Sequence, residues 1–370
     1  MIEIKKISDV FDVGSSKRVF KREWTTEGVP FYRAREVVKL SRDGHVDNEL
    51  FISEEMFKEY SVKYGVPEPG DLLITGVGTL GICYQVKNHD RFYFKDGNII
   101  WLKKKKEVSS DYIEYCYKSS FVKRQIESTA DAAVVGTYTI TNARETKIPL
   151  PPLETQKKIA AILDEADKLR QLDQQLIEKY DELTQSLFLD MFGDPVMNPN
   201  GWEVFHFEDC LEIRNGKNQK KVESIDGVYP IYGSGGIMGY ATDFISDENS
   251  VIIGRKGNIN KPILVREKFW HVDTAFGLNP NSDLLSYFYL YYFCERYNFE
   301  QHNKTVTIPS LTKATLLKIK IPIPPLDIQN KFDERVLAIE TQKALAQKSL
   351  GKSEELFNSL LQKAFKGELV

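Results

Sequence analysis

The feature that most constrains this chain is an internal repeat. Ile148-Pro149-Leu150-Pro151-Pro152-Leu153-Glu154-Thr155-Gln156 returns 173 residues later as Ile321-Pro322-Ile323-Pro324-Pro325-Leu326-Asp327-Ile328-Gln329. At the same offset and without a gap, Glu182-Leu183, Ser186-Leu187 and Phe192 return as Glu355-Leu356, Ser359-Leu360 and Phe365. About a third of the 45 positions from Ile148 to Phe192 are identical. Such self-similarity marks a duplicated structural unit rather than two unrelated proline-rich linkers.

Prolines lock the entry to a helix and are excluded from its interior, so helices are expected to begin near Glu154 and near Asp327. In the first, Ile162, Ala166, Leu169, Leu176, Tyr180, Leu183 and Leu187 fall on alternating four- and three-residue steps broken at Asp173. The second repeats this with Phe332, Val336, Ile339, Ala346, Leu350, Phe357, Leu360 and Ala364, broken at Lys343 and Ser353. These are the spacings of coiled-coil seams. Glu154 to Asp190 is 37 residues, or about 55 Å at a rise of roughly 1.5 Å per residue. Gly193-Asp194-Pro195 ends the first helix and Gly367 the second. A helix this long with one narrow apolar stripe needs a partner, and each has the other. The globular sequence between them lets the two run antiparallel, with Asp173 and Lys343 helping to fix the register. The alternative is that each packs on its own domain as an ordinary amphipathic helix.

The segments outside the helices echo each other more weakly. Asp71-Leu72-Leu73-Ile74-Thr75-Gly76-Val77-Gly78 resembles Ser250-Val251-Ile252-Ile253-Gly254-Arg255-Lys256-Gly257, a buried strand entering a glycine-bounded loop. Val29-Pro30-Phe31-Tyr32 resembles Tyr229-Pro230-Ile231-Tyr232. Each segment also carries a short aromatic helix, Asp111 to Ser119 and Leu284 to Phe293, and the ten-residue run from Leu284 reads as core rather than as a platform for stacked bases. The expected organisation is α+β. Mixed α/β units at 1–147 and 195–320 are separated by proline-led long helices at 148–194 and 321–370, which pair as an antiparallel coiled coil in a pseudo-two-fold repeat.

Composition narrows the function. A chain of 370 residues at 42% hydrophobic content is long enough for two cores and too apolar for disorder. No apolar run reaches the twenty or so residues of a membrane span, and Met1-Ile2-Glu3-Ile4-Lys5-Lys6 lacks a signal-peptide core, so a cytoplasmic protein is expected. Cys83, Cys116, Cys210 and Cys294 are too dispersed for a metal clip or disulfide framework and are read as reduced and mostly buried. The net charge of −3 argues against a polyanionic partner until its distribution is seen. Basic against acidic residues number 24 to 22 in 1–147, 5 to 10 in 148–194, 14 to 14 in 195–320 and 7 to 7 in 321–370. The acidity sits in one helical segment, and local basic patches survive elsewhere.

The order of globular unit, Pro-Pro-Leu with a long helix, then both again, resembles the specificity subunits of type I restriction-modification enzymes over essentially the whole chain. Gly70-Asp71-Leu72-Leu73-Ile74 leading to Gly78-Thr79-Leu80-Gly81, then Gly201-Trp202 and Tyr229-Pro230-Ile231-Tyr232-Gly233-Ser234-Gly235-Gly236-Ile237, are similar to segments of that family. So are Gly254-Arg255-Lys256-Gly257 and His271-Val272-Asp273-Thr274-Ala275-Phe276. The resemblance implies two target recognition domains, each reading one half of a split site in double-stranded DNA. The helices would space them and dock two modification (methyltransferase) subunits, with restriction (translocase and nuclease) subunits joining for cleavage. It implies no cofactor in this chain; S-adenosylmethionine, ATP and magnesium belong to the partners. The alternatives are a small-molecule enzyme using the glycine-rich loops and a coiled-coil scaffold that never meets DNA.

Candidate DNA contacts follow from side-chain chemistry. Arg255, Lys256, Asn258, Asn260 and Lys261 form a polar loop between two strands; arginine bonds guanine bidentately and asparagine bonds adenine. The rival reading is a solvated hairpin tip. Lys217, Lys220, Lys221, Lys304 and Thr305 suit phosphates, and the turn of Ser234, Gly235 and Gly236 either meets a phosphate through its N–H groups or is merely tight. In the first unit the candidates are Thr75, Thr79 and the run Lys103, Lys104, Lys105 and Lys106, which also reads as a solvated sheet edge. The turn at Gly233 to Gly239 lacks the spacing of a nucleotide-binding loop. No catalytic residue is assigned. Pro151-Pro152 lies between Leu150 and Leu153 and lacks the polar and aromatic neighbours of an amino-methyltransferase site. The five histidines, 45, 89, 206, 271 and 302, have no metal-ligand spacing, and His271 with Asp273 is read as a structural hydrogen-bonded pair.

Overall fold

A computed structural model describes residues 3–130, 136–303 and 309–369. The chain separates into two compact units, Met1–Asp173 joined by Ser349–Val370, and Gln174–Lys348. The division falls inside both long helices, Leu153–Phe192 and Leu326–Lys366.

In the first unit the strands are β1 (Ile4–Lys6), β2 (Phe11–Gly14), β3 (Val29–Tyr32), β4 (Phe51–Ile52), β5 (Leu72–Thr75), β6 (Cys83–Gln85), β7 (Tyr93–Phe94), β8 (Ile99–Lys104) and β9 (Lys147–Pro149). They form sheets of order β1-β9, β2-β8-β5-β6 and β4-β3-β7. All of β5 is buried, because the sheet is covered on both sides and its strand reads as a continuous apolar run rather than an alternation. Leu72, Ile74, Ile100 and Leu102 pack with Tyr112, Ile113 and Cys116 of the helix Ser110–Lys118. On the other face Leu73, Ile99 and Trp101 pack with Tyr32, Val37, Leu40 and Phe94.

The second unit repeats this plan strand for strand. Its strands are β10 (Glu203–His206), β11 (Leu211–Asn215), β12 (Tyr229–Gly233), β13 (Gly236–Ala241), β14 (Ser250–Gly254), β15 (Ile263–Val265), β16 (Trp270–His271), β17 (Ala275–Pro280) and β18 (Lys320–Ile323). The sheets are β10-β18, β11-β17-β14-β15 and β13-β12-β16, the same order with nine added to each strand. The parallel pairing of β3 with β7 recurs as β12 with β16. The main departure lies after β3 and β12. In the first unit the extra sequence between Tyr32 and Asp71 forms two helices, Ala34–Asp43 and Glu54–Tyr64. In the second, β12 turns directly into β13. The helix Ala34–Asp43 starts where the Arg33 N–H donates to Glu36 Oε2 at 2.9 Å and stops at Gly44, in the left-handed region at φ 73°. Ser41 Oγ donates to the Cys83 carbonyl at 3.0 Å, seating this helix against β6.

A duplicated latch joins each set of sheets to its Pro-Pro-Leu segment. Ser109 caps the helix carrying Tyr112, whose hydroxyl donates to the Pro149 carbonyl at 2.8 Å. Ser286 caps the helix Tyr287–Arg296, and Tyr289 donates to Pro322 at 2.6 Å. The repeated glutamines close both latches. Gln156 accepts from the Ser109 N–H at 3.1 Å and donates to the Pro151 carbonyl at 2.7 Å. Gln329, fully buried, accepts from the Ser286 N–H at 2.8 Å and donates to Pro324 at 2.7 Å and Leu284 at 3.0 Å. A buried amide is tolerable only with its donors and acceptors satisfied, which is why glutamine stands in both copies.

Within each unit the helix segments pair antiparallel. In the first, Ile159, Leu163 and Ala166 share a core with Phe357, Leu361 and Ala364; the Arg170 guanidinium lies 5.2 Å from the centroid of Phe357. In the second, Phe188 and Phe192 pack on Phe332 with centroids 5.7 and 5.2 Å apart, each such burial contributing about 2 kcal/mol. Both polar breaks make cross-helix contacts of the kind that fixes register: Asp173 accepts from Ser353, and Lys343 pairs with Asp181. The seam of the second helix runs through the expected residues. In the first helix Ala166, Asp173, Tyr180 and Leu187 turn inward as expected. Between them Leu163, Arg170, Ile177 and Thr184 take the places expected for Ile162, Leu169, Leu176 and Leu183, which are 37–52% exposed. Both choices keep a heptad; only the order of the three- and four-residue steps differs, and leucine periodicity alone does not distinguish them. The helix ends as its sequence indicates, with Gly193 at φ 76° and the Trp202 indole N–H on the Phe192 carbonyl at 3.1 Å. All four cysteines are buried and unbridged. Burial raises the thiol of Cys210 to about 12 and those of Cys83, Cys116 and Cys294 well above their usual value.

Candidate nucleic-acid interface

At one end of the second unit four backbone segments converge. The Arg255 N–H donates to the Thr274 carbonyl at 2.7 Å, the Gly257 N–H to Pro309 at 3.1 Å, and the Leu311 N–H to Arg255 at 2.9 Å. The Lys217 N–H donates to the His271 carbonyl at 3.0 Å, and its own carbonyl accepts from the Trp270 indole at 2.9 Å. The loop after β14 is tight because Gly254 allows it: a Cβ there would lie 2.4 Å from the Asn258 carbonyl oxygen. The same virtual Cβ would lie 3.2 Å from Ser234, which sets the 233–236 turn beside the 254–258 loop. Lys217, Gly235, Arg255, Lys256 and Asn258 are exposed here, with Ser234 and Gly236 half-buried. Among the described residues neither Arg255, Lys256 nor Lys217 forms an ion pair. Unneutralised cations beside glycine-built backbone can meet phosphates and base edges together.

Other candidates fall outside this cluster. Asn260 is committed internally, donating to Asn298 at 3.1 Å and accepting from the Phe299 N–H at 2.7 Å; it braces the loop instead of reaching outward. Lys261 is exposed beyond it, and Lys220 and Lys221 project from the following loop of Lys217. Lys304 and Thr305 lie outside the described residues. His271 is fully buried between Ser246 Oγ, 3.1 Å from Nε2, and the Ala275 carbonyl, 3.3 Å from Nδ1. Its expected partner Asp273 is exposed. Burial lowers the His271 pKa to about 4, so it is a neutral structural group near pH 7.

In the first unit Thr75 is corrected from a contact to a clasp. It is fully buried, its hydroxyl donating to the Thr79 carbonyl and accepting from the Ile82 N–H at 3.0 Å. Thr79 is exposed on the loop that this clasp closes. The lysine run is elsewhere. β5 pairs with β8 so that Thr75 faces Ile99 while Leu72 faces Leu102, and Lys103 to Lys106 therefore leave β8 at the end opposite Thr79. The strand carrying them is interior to its sheet, so the reading as a solvated edge strand does not hold. Lys103 stacks over Trp101 at 3.7 Å, and the N–H groups of Lys105 and Lys106 donate to the Val10 carbonyl at 3.0 and 3.3 Å. Sequence reasoning missed the latch residues Tyr112, Gln156, Tyr289 and Gln329. Their signal was present as a repeated Ser-x-x-Tyr and a glutamine three residues after each Pro-Pro-Leu.

The profile of the family described as type I restriction modification DNA specificity domain matches residues 2–180 and 199–349. The chain belongs to that family. Among relatives of this specificity-domain chain, the MjaIX specificity subunit of a type I restriction enzyme from Methanocaldococcus jannaschii is 24% identical, over 99% of this chain and 93% of its own. A putative type I specificity subunit of Haemophilus influenzae is 31% identical over a local match covering 45% of this chain and 41% of that one. Two solved structures share the fold: the S subunit of a type I restriction-modification system from M. genitalium, at TM-score 0.61 and 16% identity with 99% and 96% of the two chains covered, and a chain from a study of type I complex assembly and conformational transition, at TM-score 0.62 and 18% identity with 99% and 98% covered. Among the described residues of the specificity chain, no helix is long and apolar enough to cross a membrane.

Proposed function

We propose that the chain is the non-catalytic DNA-reading subunit of a type I restriction-modification complex, acting in the cytoplasm, each unit reading one half of a split duplex site. The observation that carries this reading is the nine-strand plan used twice with different tips. A scaffold kept constant beneath a helical insert in one copy and a bare hairpin in the other is what two readers of different sequences require. Local basic character supports a duplex partner despite the acidic total.

The paired helices set the distance between the half-sites and dock two modification subunits. Leu169 and Leu172 in the first unit, and Leu176 and Leu345 in the second, each 43–58% exposed, supply apolar surface for that docking. S-adenosylmethionine chemistry then belongs to the modification subunits, and ATP with magnesium to the restriction subunits.

The test is an exchange of residues 195–320 for those of a relative, assembled with the same modification subunits, with modified adenines mapped across the host genome. One half of the recognised site changes and the other is retained. A change in both halves, or in neither, contradicts the assignment.

A further inference from the structure

The hairpin of β12 and β13 carries an irregularity. Ile231 pairs with Gly239 and Tyr232 with Ile237, so Met238 is an extra residue, a bulge one step from the turn at Gly233 to Gly236. In a regular strand adjacent side chains point to opposite faces. Here Ile237 and Met238 are both turned to solvent, 55% and 60% exposed. The Met238 thioether lies over Gly233, where a Cβ would come within 2.7 Å of Sδ. β13 is an edge strand, and its far end is covered where the Ser224 N–H donates to Tyr240 and the Thr242 N–H to Val222. Among the described residues no backbone bond from outside the hairpin covers the end bearing Ile237 and Met238. An uncovered apolar edge invites aggregation and persists where it has a use, and bulges recur where a side chain must be re-aimed.

We propose that Ile237 and Met238 enter the DNA major groove and pack on thymine methyl groups, making them specificity-determining residues for the second half-site. The assignment rests on the chain being a DNA reader. Two observations choose this occupant. A two-stranded ribbon fits the major groove, where the thymine methyl is the apolar feature that distinguishes a base pair. The pair is also continuous with the cluster of Ser234, Arg255, Lys256 and Asn258, whose exposed cations suit the flanking phosphates. Ile237 and Met238 would supply the apolar part of a readout whose polar part comes from the 254–258 loop.

The experiment uses the full chain assembled with its modification subunits and a duplex carrying the site that this complex modifies. Each thymine of the second half-site is replaced in turn by uracil, which lacks only the methyl group. The wild-type complex should bind one or two of these duplexes roughly fourfold more weakly per methyl lost. Ile237→Ser and Met238→Gln should bind the thymine duplex as weakly as wild type binds its uracil form, and be indifferent to that replacement. Thymines of the first half-site should be insensitive throughout. Wild-type binding unchanged by every uracil, a second half-site without thymine, or variants that keep wild-type uracil sensitivity each overturns the assignment. Variants that lose the modification subunits on gel filtration while keeping their base preferences also overturn it, marking the hairpin as a protein interface. A wild-type complex that prefers no sequence at all overturns the underlying reading instead, which separates the two failures.

Discussion

Ser353 donates its hydroxyl to Asp173 at 2.8 Å across 180 residues of sequence. The bond places a polar pair on the inward stripe of the two helices, and such a pair fixes register at some cost in stability. Ser353→Ala should cost about 1 kcal/mol, whereas Asp173→Leu combined with Ser353→Leu should match or exceed the wild type in urea unfolding. A double variant weaker than either single one would contradict this.

Removing a latch should cost more than removing this pair. Gln329→Ala leaves the Ser286 N–H and two carbonyls without their partners inside the second unit, a loss of about 2–3 kcal/mol. Gln329→Glu restores an acceptor but no donor and should recover only part of it. Unfolding midpoints of both variants against wild type check the order.

His271 and Asp333 give the second unit opposite responses to acid. The folded pKa of His271 is lowered to about 4 by burial, so its contribution is complete above its ordinary value near 6.5 and is lost as pH falls toward 4, by at most about 3 kcal/mol. Burial raises Asp333 to about 6 against the opposing hydrogen bond from Ser286. The folded state therefore takes up this proton first, and acidification from pH 6 toward 4 stabilises through it, by less than about 1 kcal/mol after solvent screening. Between pH 7.5 and 5, His271→Gln should lose less thermal stability than wild type and Asp333→Asn should lose more. Equal losses in all three proteins would refute both assignments.

Arg255→Ala or Lys256→Ala should weaken DNA binding by the assembled complex. A base contact costs about 1–3 kcal/mol and relaxes the preference at one position of the second half-site. A phosphate contact gives a uniform loss with a shallower salt slope. Titration against single-base site variants at two salt concentrations distinguishes them, and an unchanged result for both variants removes the loop from the interface.

Adding one heptad to each long helix, after Ala166 and at the facing point of the second, lengthens the pair by roughly 10 Å. That corresponds to about three base pairs at roughly 3.4 Å each, but those base pairs turn the groove by roughly 100° while the heptad turns the helix face by only ~20°. The lengthened protein should lose affinity for the original site and prefer a longer gap, read by methylation across sites whose central gap varies one base pair at a time. A folded variant that keeps the original preference would show that the helices do not set the spacing.

Much of this architecture is legible in local chemistry. The prolines, the glycine stops and the heptads place both long helices, and the alignment of Val29–Tyr32 with Tyr229–Tyr232 anticipates the shared strand plan. Leucine spacing alone does not say which of two equally periodic neighbours turns inward, although the 173-residue repeat does: Leu163, Arg170, Ile177 and Thr184 answer Val336, Lys343, Leu350 and Phe357 of the second seam. Leu169 and Arg170 both suit a helix, and only the tertiary structure shows the Arg170 guanidinium packed on Phe357 of the facing helix. The candidate interface divides the same way. Arg255, Lys256 and Ser234 are drawn together by glycine-dependent turns that can be read in advance. Thr75 is removed by a clasp, and Lys103 to Lys106 are sent to the opposite end of a strand, by pairings that local sequence does not encode.

The first unit takes its final core residues, Phe357, Leu361 and Ala364, from the end of the chain. A ribosome making this protein therefore finishes the second unit, a single uninterrupted stretch, before it has released the residues that complete the first. In sequence, one unit is nested in the other like a clause within parentheses. An interrupted translation that spares every residue of the amino-terminal sheets still leaves those sheets without part of the core beneath them.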